Sequence, residues 1–218
     1  MTLLLDSIEV SLLASFAGAD KRTAPYDHWL LKDCLPTAVI NEVLDLPLAP
    51  SDLGGVSGKR ELHNESRRYF DVGNRTTFPC VSAIARALQS PGVTQAISST
   101  FGAQLKGTYL RIEYAQDKDG FWLEPHTDIG VKAFTFLIYL SKENSHVNLG
   151  TDIYDAEKRW VGRSPFESGA AMIFVPSNIT YHGFERRRIE GVRKSLVINY
   201  VTQDWRAREQ LAFPDQPI

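Results

Sequence analysis

Within the stretch Glu124-Pro125-His126-Thr127-Asp128, an imidazole and a carboxylate stand two residues apart. In an extended segment, side chains at i and i+2 leave the same face, about 6.6 Å apart along the strand. One metal ion fits between them. His182 supplies a second imidazole from a distant part of the chain. Two histidines and one carboxylate form the ligand face expected for non-haem Fe(II) with open coordination positions. The same set also suits a catalytic zinc holding water. A His-x-Asp pair also occurs on solvated strands that bind nothing.

Arg193 follows His182 by eleven residues. In an extended segment Arg193, Ser195, Val197 and Asn199 share one face, and Lys194, Leu196 and Ile198 the other. A guanidinium beside a serine hydroxyl could hold a carboxylate through a bidentate pair and one further donor. Two alternatives stay open: that Lys194 takes that part, or that Arg193 pairs with a surface acid such as Glu190.

The elements that must position these groups follow from periodicity. From Gln104 onward the apolar period is two. Residues 105–115, 133–140, 170–175 and 195–201 are β-branched and aromatic runs bounded by turn formers, and they read as strands. Before them the period is helical. Met1–Phe16 reads as an amphipathic element, not a leader, because it lacks a basic start and carries Asp6 and Glu9. Tyr26 and Trp29 lie in a short extended segment. Asp33-Cys34-Leu35-Pro36 starts a helix whose apolar positions are Val39, Ile40, Val43 and Leu44, and which ends at Pro47. Two further helices are expected over 81–102, broken at Pro91. A long Gly-punctuated connection fills 51–79. The expectation is a helical region over 1–103, an all-β core over 104–205 closing into a barrel or sandwich, and a tail over 206–218, all in one structural domain.

Composition narrows the function. Hydrophobic residues at 43% can fill a core, and a formal net charge of −2 leaves no basic excess for nucleic acid or an anionic membrane. No apolar run is long enough to span a membrane. Cys34 and Cys80 match no zinc or redox spacing and read as reduced thiols of a cytoplasmic protein.

The pieces Glu113-Tyr114, His126-x-Asp128, the apolar run Phe134–Leu140, Gly150-Thr151, His182 and Arg193-x-Ser195 occur in one order. In that order, over about residues 104–202, the chain resembles the 2-oxoglutarate- and Fe(II)-dependent oxygenases, particularly their bacterial prolyl-hydroxylase-like branch. Where better-known members carry Gly-Gly-Glu-Thr, this chain has Asn148-Leu149-Gly150-Thr151-Asp152.

The resemblance implies a mainly β protein with α elements, its core a double-stranded β-helix (jelly roll) beside an N-terminal helical wing. It implies His126, Asp128 and His182 as iron ligands. Fe(II), 2-oxoglutarate and O2 would be the cofactor and co-substrates, with succinate and CO2 released. Arg193 and Ser195 would take the distal carboxylate of 2-oxoglutarate. Tyr114 either donates its hydroxyl to that carboxylate or packs in the core. Trp122 walls the pocket or is plain core. His28, His63 and His146 lie outside the pattern and read as ordinary polar residues.

The segment Gly54–Phe78 carries Lys59, Arg60, Arg67, Arg68 and Arg75 against Glu61, Glu65 and Asp71. It reads either as a lid whose Arg67 and Arg68 meet a small anionic or zwitterionic substrate, or as a solvated loop. The function expected is hydroxylation of such a metabolite. The rivals are a non-catalytic ligand-binding jelly roll and a zinc hydrolase.

Overall fold

The structure is a computed structural model that describes residues 2–50, 58 and 67–218. Two antiparallel sheets face each other. The larger has seven strands in the order β1-β2-β9-β6-β11-β4-β3, and the smaller has four in the order β5-β10-β7-β8.

The long central strands of the larger sheet are β4 (Tyr109–Asp117), β6 (Lys132–Tyr139) and β11 (Arg193–Val201), joined by β9 (Ala171–Phe174). Each falls on a run of period two. β1 (Asp20–Arg22) and β2 (His28–Leu31) extend this sheet beyond β9, and β3 (Arg68–Tyr69) extends it beyond β4. Residues before 104 therefore contribute three strands as well as helices. The smaller sheet is built from short pieces: β5 (Leu123–His126), β7 (Asp152–Tyr154), β8 (Trp160–Arg163) and β10 (His182–Phe184).

Helices cover the outer face of the larger sheet. α1 (Thr2–Ala17) turns Ile8, Leu12 and Phe16 inward, and α2 (Thr37–Leu44) buries Val39, Ile40 and Val43. α5 (Pro91–Phe101) begins on the proline expected to break the helical stretch and α4 (Pro79–Gln89) two residues before the expected start, also on a proline, a place where a missing N–H costs nothing. Gly102, at φ 74°, ends α5 in the left-handed conformation that glycine adopts without a Cβ penalty. The connection expected over 51–79 is not all loop. Asp71 accepts from the Asn74 N–H at 2.8 Å and caps a short helix, α3 (Val72–Thr77), directly after β3. Lys59, Arg60, Glu61, His63 and Glu65 lie outside the described residues.

Two apolar layers result. The first, between the helices and the larger sheet, contains Phe134, Phe136, Ile138, Leu196, Ile198, Tyr200 and Tyr114. The second, between the sheets, contains Ala115, Leu137, Tyr139, Val197, Leu123, Phe121 and Phe184. Alternation along β4, β6 and β11 decides which layer each side chain enters. Cys34 and Cys80 are both buried and free, and burial pushes the Cys34 thiol up to about 12. Among the described residues no helix is long and apolar enough to cross a membrane.

Candidate metal centre and its cavity

β5 and β10 pair antiparallel, and His126 stands opposite His182 in their register. Gly183 makes that approach possible: a Cβ there would lie 2.9 Å from the Leu123 carbonyl oxygen of β5. The two imidazole centroids are 4.5 Å apart. Asp128 lies just past the end of β5, beyond the pleat that the i, i+2 argument assumed, yet it reaches the same place. His126, Asp128 and His182 each offer a ligand atom, and the three atoms lie within 4.8 Å of one another.

Hydrogen bonds fix how the three are presented. Nδ1 of His126 lies 2.8 Å from the Glu124 carbonyl oxygen, and Nδ1 of His182 lies 3.0 Å from that of Thr180. A carbonyl only accepts, so each Nδ1 carries the proton and each Nε2 is left with its lone pair. A metal-binding histidine needs this tautomer. Burial, and then the neighbouring His126, lower the His182 pKa to about 3, so its ring is neutral.

Burial alone would raise the Asp128 carboxyl. Lys132 and His182, with hydrogen bonds from Lys132 and Thr135, instead hold it well below the usual carboxylate range. The Thr135 hydroxyl donates to Oδ2 at 2.5 Å and the Lys132 ammonium to Oδ1 at 2.5 Å. The donor set fits a divalent metal: two imidazoles and one ionised carboxylate converging on one point.

The cavity runs inward from this cluster between the sheets, past Leu137, Val197 and Phe184 to Arg193, Ser195, Tyr139 and Thr151. Arg193 points into it. Its Nη1 donates to Asp117 at 2.7 Å and its Nε to the Leu149 carbonyl at 2.7 Å. Neither Lys194 nor Glu190 meets Arg193 here. Lys194 leaves the opposite face and donates to the Leu44 carbonyl at 3.0 Å, while Glu190 pairs with Arg188. Ser195 lies buried beside Arg193's end of the cavity.

Three expected site residues do not line the cavity. Tyr114 is opposite Leu196 in register and enters the helix-facing layer, so its hydroxyl is buried on the wrong side of the sheet. Arg68, paired with Tyr114 and one residue from Arg67, leaves that same outer face. Trp122 alternates with its wall-forming neighbours Phe121 and Leu123 and packs against Gly58 instead. A Cβ on Gly58 would come within 2.5 Å of its ring. Arg67 does lie on the inner face, where its Nη1 donates to Glu113. His28 and His146 bond the Tyr26 and Glu190 carbonyls, away from the centre.

Other residues of the cavity went unnoticed in the sequence. Tyr139 donates to Thr151 at 2.8 Å and lies 2.5 Å from the Ser164 hydroxyl. Asp152, next to Thr151, is fully buried. It accepts from Trp160, Arg163, Arg187 and the Glu185 N–H, tying β7, β8 and the strand of His182 together.

No family model and no curated protein matches the chain. Solved structures do. A prolyl 4-hydroxylase from Phytophthora capsici is 14% identical with a TM-score of 0.61, covering 93% of this chain and 67% of its own. A prolyl-4-hydroxylase from Pseudomonas putida is 15% identical with a TM-score of 0.54, covering 91% and 94%. A prolyl hydroxylase from Trichoplax adhaerens, in complex with a hypoxia inducible factor oxygen degradation domain peptide fragment, is 13% identical with a TM-score of 0.61, covering 95% and 96%. The chain has the fold of these prolyl hydroxylases.

Proposed function

We propose that this protein is an Fe(II)- and 2-oxoglutarate-dependent oxygenase that hydroxylates a C–H bond of a small anionic or zwitterionic metabolite. In this reading the strands within residues 104–205 form a double-stranded β-helix, with residues 1–103 as a wing that adds β1, β2 and β3 to its larger sheet and 206–218 as a tail. Two free, buried thiols suit a reducing, cytoplasmic setting.

One observation carries the reading. Three ligating atoms converge within 4.8 Å, and both histidines already have the tautomer a metal requires. Zinc hydrolysis would leave the buried guanidinium at the far end of the cavity without a use.

Iron held by His126, Asp128 and His182 would supply the oxidising chemistry: one O2 and one 2-oxoglutarate consumed per hydroxylated product, with succinate and CO2 released. The chain's own groups prepare the site. Thr135 orients Asp128, and the Glu124 and Thr180 carbonyls hold the two imidazoles in place. Arg193 and Ser195 receive the distal carboxylate of 2-oxoglutarate, with the Tyr139 and Thr151 hydroxyls beside them. Leu137, Val197 and Phe184 keep water from the path between the two ends.

The test is Fe(II) binding by the purified protein, followed by a screen of metabolites and of proline-containing peptides for stimulated succinate formation. Succinate release stimulated by a small acid or zwitterion is expected. Protein that fails to bind Fe(II) would overturn the oxygenase reading. Stimulation by peptides alone would overturn the substrate class.

A further inference from the structure

The polar residues on the inner face of the larger sheet continue beyond the candidate metal centre as an unbroken chain of hydrogen bonds. Thr135, which holds Asp128, accepts from Asn199 Nδ2 at 2.9 Å. Asn199 Oδ1 accepts from Arg111 Nη1 at 3.2 Å, and Arg111 Nη2 reaches Glu113 at 3.2 Å. The other oxygen of Glu113 accepts from Arg67 Nη1. Gln210 holds Arg111 from the far side at 2.9 Å.

The chain ends unsatisfied. The Arg67 side chain is 4% exposed, yet among the described residues its Nε and Nη2 have no hydrogen-bond partner. A buried charged donor left unpaired is expensive, and native proteins rarely tolerate two on one side chain. These two nitrogens also form the side-on edge of the guanidinium, whose parallel N–H groups match the two oxygens of a carboxylate. Among the described residues, Arg67 and Arg111 both pair with the one carboxylate of Glu113. In register, the face between Arg67 and the cavity is floored by the small side chains of Ala115 and Ser195.

We propose that the Nε–Nη2 edge of Arg67 is the receptor for a carboxylate of the substrate. This rests on the oxygenase reading for what happens at the other end of that substrate. Arg67 immediately precedes β3 and reaches back to Glu113 on β4, and Thr135 stands on β6, two strands from β4. Two strand spacings are roughly 10 Å. The substrate is therefore an extended organic acid whose oxidised carbon lies on the order of 6–10 Å from its carboxylate. A compact α-amino acid is too short.

The probe is hexanoate, with hexanamide as its uncharged match. Each is titrated into isotopically labelled protein with 2-oxoglutarate saturating, so that the carboxylate site at Arg193 is already filled. The Arg67 Nε–H resonance, assigned by its disappearance in Arg67→Lys, should shift saturably with hexanoate and stay still with hexanamide. Arg67→Lys should weaken hexanoate binding about tenfold or more, since lysine keeps the charge and loses the fork. With Mn(II) in place of iron, the terminal methyl of hexanoate should relax faster than its C2 protons. An unmoved Arg67 resonance in the wild-type protein would overturn the proposal, and so would the reverse order of relaxation. Failure to bind Mn(II) or Fe(II) would instead overturn the oxygenase reading, with the Arg67 shift still readable in metal-free protein.

Discussion

Arg193 and Asp117 face each other across β11 and β4, and Arg193 Nη1 lies 2.7 Å from the Asp117 carboxylate. Both side chains are almost fully buried. Asp117 therefore neutralises the cation while no ligand is bound, and competes with any carboxylate that arrives. Arg193→Ala should raise the 2-oxoglutarate requirement about ten- to a hundredfold, the contribution of a charge-assisted pair in a dry site. Asp117→Asn should act in the opposite sense. It should bind 2-oxoglutarate more tightly, while the free protein loses about 3 kcal/mol of stability because a buried pair is broken. Titration calorimetry and thermal melts on both variants check this, and weaker binding by Asp117→Asn would contradict it.

Metal binding should depend on all three ligands at once. His126→Ala, Asp128→Ala and His182→Ala should each remove most Fe(II) affinity and turnover while the fold survives, as the cluster lies at the ends of β5 and β10. Lys132→Met should tighten the metal, since the ammonium now bonded to Asp128 Oδ1 no longer has to be displaced. Bound iron counted per chain reads all four. Full occupancy in His182→Ala would remove the assignment.

Gly150 permits the close pass of two chain segments beside Thr151. A Cβ there would sit 1.8 Å from the Ser164 carbonyl oxygen, which is backbone and has no rotamer to yield. Gly150→Ala should cost about 3 kcal/mol, lowering the melting temperature by roughly 6–12 °C in a chain of this size. An unchanged melt would mean that these segments are not so close.

His28, outside the ligand cluster, gives a pH signature of its own. Burial, the largest cause, lowers its pKa below the ordinary value. Between that lowered pKa and the ordinary one, the unfolded chain binds a proton that the folded chain refuses. Its stability contribution is thus intact above the ordinary histidine pKa and declines as pH falls through it. His28→Phe should flatten part of the fall in unfolding midpoint between about pH 7 and 5. Parallel curves for the two proteins would exclude the group.

Much of this site could be read from the sequence because its anchors fall where period and residue type agree. Arg193 and Ser195 begin a strand with clear alternation, and His126, Asp128 and His182 are of types that seldom cluster without a metal. Other parts were hidden for physical reasons. Both faces of β4 are buried, so nothing in the sequence shows which parity faces the cavity. Only pairing with β11 puts Glu113 inside and Tyr114 outside. Tyr139 lies in a run that is apolar but for Thr135, where buried strands lose their alternation. β5 and β10, four and three residues long, are too short for any periodic signal. The capped turn that starts α3 was legible at Asp71, but it was masked by the polar composition around it.

The two layers meet in β11. Ser195, Val197 and Asn199 turn toward the cavity and its hydrogen-bonded chain, while Leu196, Ile198 and Tyr200 turn into the helix-facing layer. A saturation scan of this strand should therefore oscillate between two kinds of failure. At odd positions from 195 to 199, variants should accumulate as normally folded protein that does not turn over. At even positions from 196 to 200 they should be lost from the soluble fraction. Selection can thus retune what the cavity accepts on alternate residues of one strand without touching the residues that keep it folded.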